Sequence, residues 1–460
     1  MIQWFLRKIK KNKKGPLRVS DPRITQNAVD EDAFKVIRRL QSFHYKAYVV
    51  GGAIRDSLLG IAPKDWDIVT SASPNEIKKI FRNSFIIGRR FRLVHVKFHG
   101  NKVIETATFR KHHGKNESDG PIDSDNVFGT ESDDAFRRDF TINALFYDPV
   151  KNIIIDHVGG LEDLKNKTLR CIGDPKVRLS EDPVRILRAI KFAAKFNLRI
   201  EKGLASEMVK QKDAIKLCSQ RRLFEELAKI LRSGLLEKFI KGANEFNFLG
   251  SYLPPVDLLN KTHHDQLIRT ARFCDQLAVK SPDDITTQYS LLLWPFIRMK
   301  NEKIRDIQQA IRFVFSEMSD HFQMSKLERM QMRTLLVLLP RFEYLLDLPK
   351  GPKRKASMRK LMRSQFFEPA LELLKLTELA ECGKSPKADA WRGLYETRNT
   401  ELPPEIKKGI KAPNSGSKPP LDTHRIKRRN FPEKRNDYKA TPENSNHPAP
   451  RSDIAEPRPN

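Results

Sequence analysis

Two aspartates one residue apart, Asp65 and Asp67 in Lys64-Asp-Trp-Asp-Ile68, carry the sharpest chemical signal in this chain. In an extended segment side chains alternate, so both carboxylates point to the same side and can share one or two divalent ions. Hard Mg²⁺ takes oxygen ligands and usually keeps substrate phosphate oxygens among them, which lets a two-ion site align an attacking hydroxyl with a leaving pyrophosphate. A third carboxylate is expected on a neighbouring strand. Glu105 in Val103-Ile-Glu-Thr-Ala-Thr-Phe-Arg110 interrupts an apolar strand, where an acid must be paired, bound to metal or at an edge. Upstream lies Gly51-Gly52-Ala-Ile-Arg55-Asp56. Without Cβ atoms, Gly51 and Gly52 let backbone N–H groups approach a phosphate, and the adjoining helix start adds its positive dipole, with Arg55 one turn in. An isolated Asp-x-Asp is usually a solvated turn; coupled to this glycine element it reads as a metal and phosphate site.

The elements around these residues predict an α+β unit of short strands. A capped amphipathic helix runs from Asp30 to about Phe43, with Phe34, Ile37, Leu40 and Phe43 on one face. The β-rich stretch 47–50 leads through the glycines into a brief helix near 54–59. Strands follow at about 66–70, 91–98 and 102–109, with a helix from Pro74 to about Phe81. Beyond residue 181 the pattern turns helical: 182–196, 203–216, 220–232 and 235–246 all repeat at helical period, and helices are expected to about 381. The last 60 residues hold 11 of the 28 prolines and almost no clustered apolar residues, a composition that predicts a disordered tail. No internal repeat is present.

The chain has 460 residues, room for about three units at roughly 150 each. Its net charge of +29 implies a polyanionic partner. The excess is concentrated: residues 1–20 and 350–363 each carry +7 without one acid, and 401–460 carry a net +5. Such patches suit phosphate tracking, although a basic surface also meets anionic lipid. Four widely separated cysteines form neither a CxxC zinc site nor a dense disulfide frame, and a reducing cytosol fits them best. No run reaches the about 18 apolar residues of a spanning helix, and the start lacks a signal peptide's apolar centre, so a cytoplasmic location is expected.

Four ordered motifs carry a family resemblance across about residues 30–235. They are Val49-Val-Gly-Gly-Ala-Ile-Arg-Asp-Ser-Leu-Leu-Gly60, Lys64-Asp-Trp-Asp-Ile68, Arg137-Arg-Asp-Phe-Thr-Ile-Asn-Ala-Leu145 and Glu181-Asp-Pro-Val-Arg-Ile-Leu-Arg-Ala-Ile-Lys-Phe192. Together they resemble the bacterial poly(A) polymerase and tRNA CCA-adding nucleotidyltransferases. The resemblance implies a polymerase-β-like head at 30–165 after a basic arm at 1–29. A helical neck at 166–235 and a helical RNA-binding body at 236–385 follow, with a Pro-rich basic tail at 386–460.

It also implies roles. Asp65, Asp67 and Glu105 would hold two Mg²⁺ ions, and Gly51, Gly52 and Arg55 would meet the triphosphate of ATP. Arg110 and Arg138 would bind the nucleotide. Asp139 and Asn143 would shape the site, with Asp139 a further catalytic candidate. Guanidinium forks suit triphosphate oxygens. In the neck, Asp182 and Arg185 would lie three apart on one helix face and present acceptor and donor groups to a base edge, in place of a pairing partner. Arg188 and Lys191 would continue that face toward the phosphates; Lys191 stands where the family more often has arginine, and lacks the bidentate fork.

Poly(A) and CCA enzymes share all of this. The segment Phe85-Ile-Ile-Gly-Arg-Arg-Phe-Arg-Leu-Val-His-Val96 is similar to one that marks the poly(A) branch, and Arg221-Arg-Leu-Phe-Glu-Glu-Leu227 suits the same branch. Cationic extensions also favour RNA ends of no fixed shape. The expected activity is therefore template-independent addition of AMP from ATP to RNA 3′ ends, with pyrophosphate released. CCA addition to tRNA is the alternative, and a non-catalytic RNA-binding protein is the alternative from another class. RNA-degradation factors are carried as candidate partners. The arm, with Trp4, Phe5 and Leu6 among lysines, is a candidate peripheral membrane contact. His264-Asp265 lacks the companions of a metal phosphohydrolase, His112-His113 reads as a solvated loop, and Phe366-Phe367 reads as core.

Overall fold

The computed structural model describes residues 15–88, 92–111, 128–253, 259 and 261–400. Its first half is built on a mixed sheet in the order β1, β8, β7, β2, β3, β6, β5, β4. These strands are β1 (Leu17–Val19), β2 (Ala47–Val50), β3 (Ile68–Thr70), β4 (Ser84–Ile87), β5 (Leu93–Lys97), β6 (Val103–Thr108), β7 (Leu145–Asp148) and β8 (Ile153–Asp156). β3 and β6 run parallel; the other pairings are antiparallel.

Strand β2 reads Ala-Tyr-Val-Val because both of its faces are covered. Ala47 and Val49 pack into the main core with α1 (Glu31–Ser42), while Tyr48 and Val50 join Val69, Phe109, Phe146 and Ile155 in a smaller cluster on the other face. Helix α1 starts where Asp30 accepts from the backbone N–H of Asp32 and Ala33. It buries Ala33, Val36, Ile37 and Leu40, whereas Phe43 is exposed rather than on the expected buried face. The short α2 (Gly52–Leu58) follows β2. Helix α3 (Pro74–Ile80) has a capping box between Ser73 and Glu76 and proline in its first turn. Helices α4 (Glu131–Arg137) and α5 (Gly160–Lys165) complete the head.

The neck begins with a two-stranded parallel sheet, β9 (Thr168–Leu169) with β10 (Arg199–Ile200), around α6 (Pro175–Glu181) and α7 (Val184–Phe196). The helix expected over 182–196 therefore starts later. Asp182 has φ −146° and ψ 90°, because Pro183 disfavours helical geometry in the residue before it. After α8 (Lys202–Lys210) and a 3₁₀ segment come α9 (Gln220–Arg232), α10 (Leu236–Glu245) and α11 (Leu249–Tyr252). The body comprises α12 (Lys261–Lys280), α13 (Ile285–Ile304), α14 (Ile307–His321), α15 (Lys326–Asp347), α16 (Pro352–Met362), α17 (Phe367–Cys382) and α18 (Pro386–Thr400).

Two boundaries differ from expectation. The arm drawn at 1–29 is shorter: β1 pairs with β8, and Ile24 and Val29 enter the head core. The tail drawn from 386 starts later: α18 is ordered, with Trp391 fully buried against Phe342 and donating to its carbonyl at 3.1 Å. Phe367 is core, as expected. His264 lies near the start of α12 and contacts Asn244 at 3.0 Å. Residues 1–14, the arginine pair of 89–91, His112-His113 and the 401–460 tail lie outside the described residues.

Candidate active site

Asp65 and Asp67 immediately precede β3. The Asp67 carbonyl accepts from Val50 N–H at 3.0 Å, which ties this segment to the end of β2. The parallel register pairs Ile68 with Thr106, so Asp67 arrives beside Glu105 on β6. Ile104 turns toward α1 and α3 in the main core, and Glu105, by alternation, faces the opposite side of the sheet. β6 is flanked by β3 and β5, which removes the edge alternative for Glu105. Its carboxylate lies 3.3 Å from Nε2 of His95, its register partner on β5.

The carboxylates repel one another. Burial pushes the Asp67 carboxyl above its ordinary range, the charges of Glu105 and Asp65 push it further, and Arg138 opposes them. Among the described residues no group of three or more His, Cys, Asp and Glu side chains closes into a metal cage. An all-oxygen set with excess negative charge fits Mg²⁺ of the kind held by one or two carboxylates and completed by substrate phosphates.

Beside these acids, Gly51 adopts φ +77° and ψ −125°, a conformation that needs glycine, and a Cβ there would stand 3.4 Å from Nη1 of Arg138. Arg55 is buried. Its Nε and Nη2 donate to Asp56 at 2.8 and 2.6 Å, its Nη1 donates to the Asn143 side chain, and its guanidinium lies over Phe196 at 4.4 Å and Phe192 at 5.1 Å. Arg55 thus joins α2 to α7 through a buried guanidinium.

Arg138 donates through Nε and Nη2 to Asp134 at 3.0 and 2.8 Å, and Arg137 uses the other oxygen of the same carboxylate. Burial pushes Asp134 up, but Arg138 and Arg137 hold its carboxyl below the usual range. The backbone N–H of Arg110 also donates to Asp134, at 3.2 Å. Asp134 organises all three arginines, and sequence reasoning missed it. Its spacing of three and four from Arg137 and Arg138 on one helix was the available signal. Asp139 accepts from Phe140 N–H at 2.8 Å and Asn143 Nδ2 at 3.1 Å, and its second oxygen meets Arg188 at 2.6 Å. Both oxygens are engaged, which places Asp139 as a link between head and neck.

In the neck, Asp182 lies just before α7, so it and Arg185 do not share a helix face. Its carboxylate accepts from Arg222 on α9 at 2.7 Å, and Arg185 pairs with Glu181 at 3.3 Å. Arg178 donates at 2.7 Å to the carbonyls of both Arg137 and Arg138, a second head-to-neck tie. Lys191, expected to continue the Arg188 face, has an acidic partner on α9. It turns to Glu226 on α9 at 3.0 Å, and burial lowers its pKa. No local spacing pointed to Arg222, Arg178 or Glu226.

Residues 47–170 match the model described as "Poly A polymerase head domain", and 197–259 match "Probable RNA and SrmB- binding site of polymerase A". The Poly(A) polymerase I of Salmonella typhimurium is 33% identical over 376 residues, covering 78% of this chain and 80% of that protein. The chain belongs to the poly(A) polymerase family. A CCA-adding enzyme of Staphylococcus saprophyticus is 33% identical over 226 residues, 48% of this chain and 54% of that protein. The Bacillus stearothermophilus CCA-adding enzyme in complex with CTP shares the fold, with TM-score 0.59 and 23% identity over 81% of this chain and 82% of that one. The mixed-sheet head followed by a largely helical body is thus the fold that the motifs imply.

Proposed function

We propose that the carboxylates at the start of β3 and on β6, the glycine turn after β2 and the Asp134-held arginines form one nucleotide site that adds AMP to RNA 3′ ends. The chain is a polynucleotide adenylyltransferase, and polyadenylation is the activity its relatives support. The observation that carries the residue assignment is the parallel β3–β6 register, which sets Asp67 beside Glu105, with the Asp67 carbonyl tied to Val50 N–H at 3.0 Å just before the Gly51 turn.

In this reading Asp65, Asp67 and Glu105 hold Mg²⁺, which supplies charge neutralisation for the phosphates and a lower pKa for the attacking hydroxyl. The backbone at Gly51 and Gly52 donates to phosphate oxygens, and Arg138, fixed by Asp134, balances their charge. Asn143 and Asp139 hold Arg55 and Arg188, so that head and neck enclose the same nucleotide. Asp182 and Arg185 are the candidate base readers, with Asp182 oriented by Arg222. The RNA 3′-oxygen bonds to the α-phosphorus of ATP as the bond from that phosphorus to the pyrophosphate oxygen breaks, pyrophosphate departs, and the hydroxyl proton passes to solvent water.

The matched RNA-binding segment at 197–259 supports contact with the RNA body. CCA addition is the second reading, favoured by the shared fold but matched in sequence over a smaller share of the chain. A cytoplasmic location, contact of the arm with anionic membrane and contact of the tail with RNA-degradation factors are further proposals. Among the described residues no helix is long and apolar enough to cross a membrane. Purified protein with Mg²⁺, a generic RNA and each NTP separately tests the activity. Long ladders with ATP alone are expected; addition confined to immature tRNA ends, with CTP and then ATP, would overturn it. Flotation with anionic liposomes, with and without residues 1–20, tests the arm.

A further inference from the structure

Among the described residues, helix α16 carries a dense run of positive charge with no acid in it. Lys353, Lys355, Arg359, Lys360 and Arg363 are all exposed, while Met358, Leu361 and Met362 are buried and fix which face turns outward. Some exposed cations elsewhere in the body meet acids, as Arg272 meets Glu237, Lys387 meets Glu343 and Arg392 meets Glu368. No acid occurs anywhere in 350–363.

The arrangement works against the helix itself. Lys355, Arg359 and Arg363 succeed one another at four-residue spacing, which sets like charges side by side. Lys353 and Lys355 stand in and beside the first turn, at the positive end of the helix dipole, with no acid there to offset them. A surface kept in this form suits a partner that brings the missing negative charge.

We propose that the outer face of α16 is a docking surface for the RNA strand upstream of the growing 3′ end, binding its phosphates without reading sequence. It lies outside the 197–259 segment matched to RNA binding. The inference rests on the reading of RNA as substrate and adds a second contact to it. A row of cations over about two and a half turns suits successive phosphates of a single strand.

The test replaces Lys353, Arg359, Lys360 and Arg363 together by Gln in the full chain, with Lys353→Arg plus Lys360→Arg as the charge-keeping control. Binding of a long oligo(A) is followed by fluorescence anisotropy over a salt series. The slope of log affinity against log salt should shrink by about 3, at about 0.7 per lost phosphate contact for a single strand. The KM for long RNA should rise at least tenfold, with the KM for ATP and kcat on a short primer unchanged. The control should behave as the parent. An unchanged salt slope would overturn the proposal, as would loss of binding to phosphatidylserine vesicles with RNA affinity intact. Failure of the parent itself to add AMP to the short primer would strike the polyadenylation reading instead, and the slope comparison would still decide the surface.

Discussion

Arg188 of α7 places its guanidinium 2.6 Å from Asp139, so the neck helix is fastened to the strand-bearing head at the motif that also holds Asn143 and Arg55. Arg188 is 37% exposed, and solvent screens part of the attraction. Arg188→Ala should destabilise the protein by about 1 kcal/mol and raise the KM for ATP. A double-mutant cycle with Asp139→Asn, read by urea unfolding, should give a coupling of the same order. Additive losses would show that the two side chains do not act together.

The Asp67 carboxyl is raised above its ordinary 3.8 first by burial, then by the charges of Glu105 and Asp65. A carboxyl with a raised folded-state pKa binds its proton more tightly when folded, so its ionisation opposes folding. That penalty is absent below 3.8, grows as pH rises through the window to the folded value, and is complete above it. Asp67→Asn should therefore melt higher than the parent at neutral pH without divalent ions, and the gain should fade toward pH 4. Mg²⁺ should raise the parent's Tm more than the variant's, and AMP incorporation should be abolished while RNA binding persists. A variant that melts lower at neutral pH would contradict the carboxylate repulsion.

At Gly51 the φ of +77° is a backbone conformation that residues with a Cβ rarely adopt, while a Cβ there would meet Nη1 of Arg138 at an ordinary contact distance of 3.4 Å. Gly51→Ala should cost about 1–3 kcal/mol in urea unfolding. It should also lower kcat/KM for ATP, because a strained turn shifts the backbone N–H groups proposed to meet the phosphates. Parent-like unfolding together with parent-like kinetics would mean that the turn relaxes freely.

The sequence made the candidate carboxylate face and glycine turn legible because their signals are local. Alternation places Asp65 with Asp67, an acid inside an apolar strand marks Glu105, and two glycines before a helix mark the turn. The distant partners of Asp182 and Lys191 were not legible. Arg222 reaches Asp182 across 40 residues and Glu226 reaches Lys191 across 35, distances at which no periodicity operates. β1 was hidden because a three-residue edge strand inside a basic stretch has no pattern of its own. Pro183 is legible and delays the helix past Asp182, since the residue before proline avoids helical geometry.

Lys191 separates a phosphate-binding lysine from a structural one. Burial lowers its pKa, and Glu226, itself pushed up by burial, is held below its usual range by Lys191 and Lys229. Removing one partner of a fully buried pair costs about 3–5 kcal/mol. Here Lys229 stays 2.7 Å from the other Glu226 oxygen, so Lys191→Met should cost less, about 2 kcal/mol. The stability loss should be largely restored by adding Glu226→Gln, which removes the stranded charge, and the KM for ATP should remain at the parent value throughout. If Lys191 instead faced the triphosphate, Lys191→Met would raise the KM for ATP sharply and Glu226→Gln would not restore it. Steady-state kinetics on the single and double variants, alongside their unfolding midpoints, distinguishes the two arrangements.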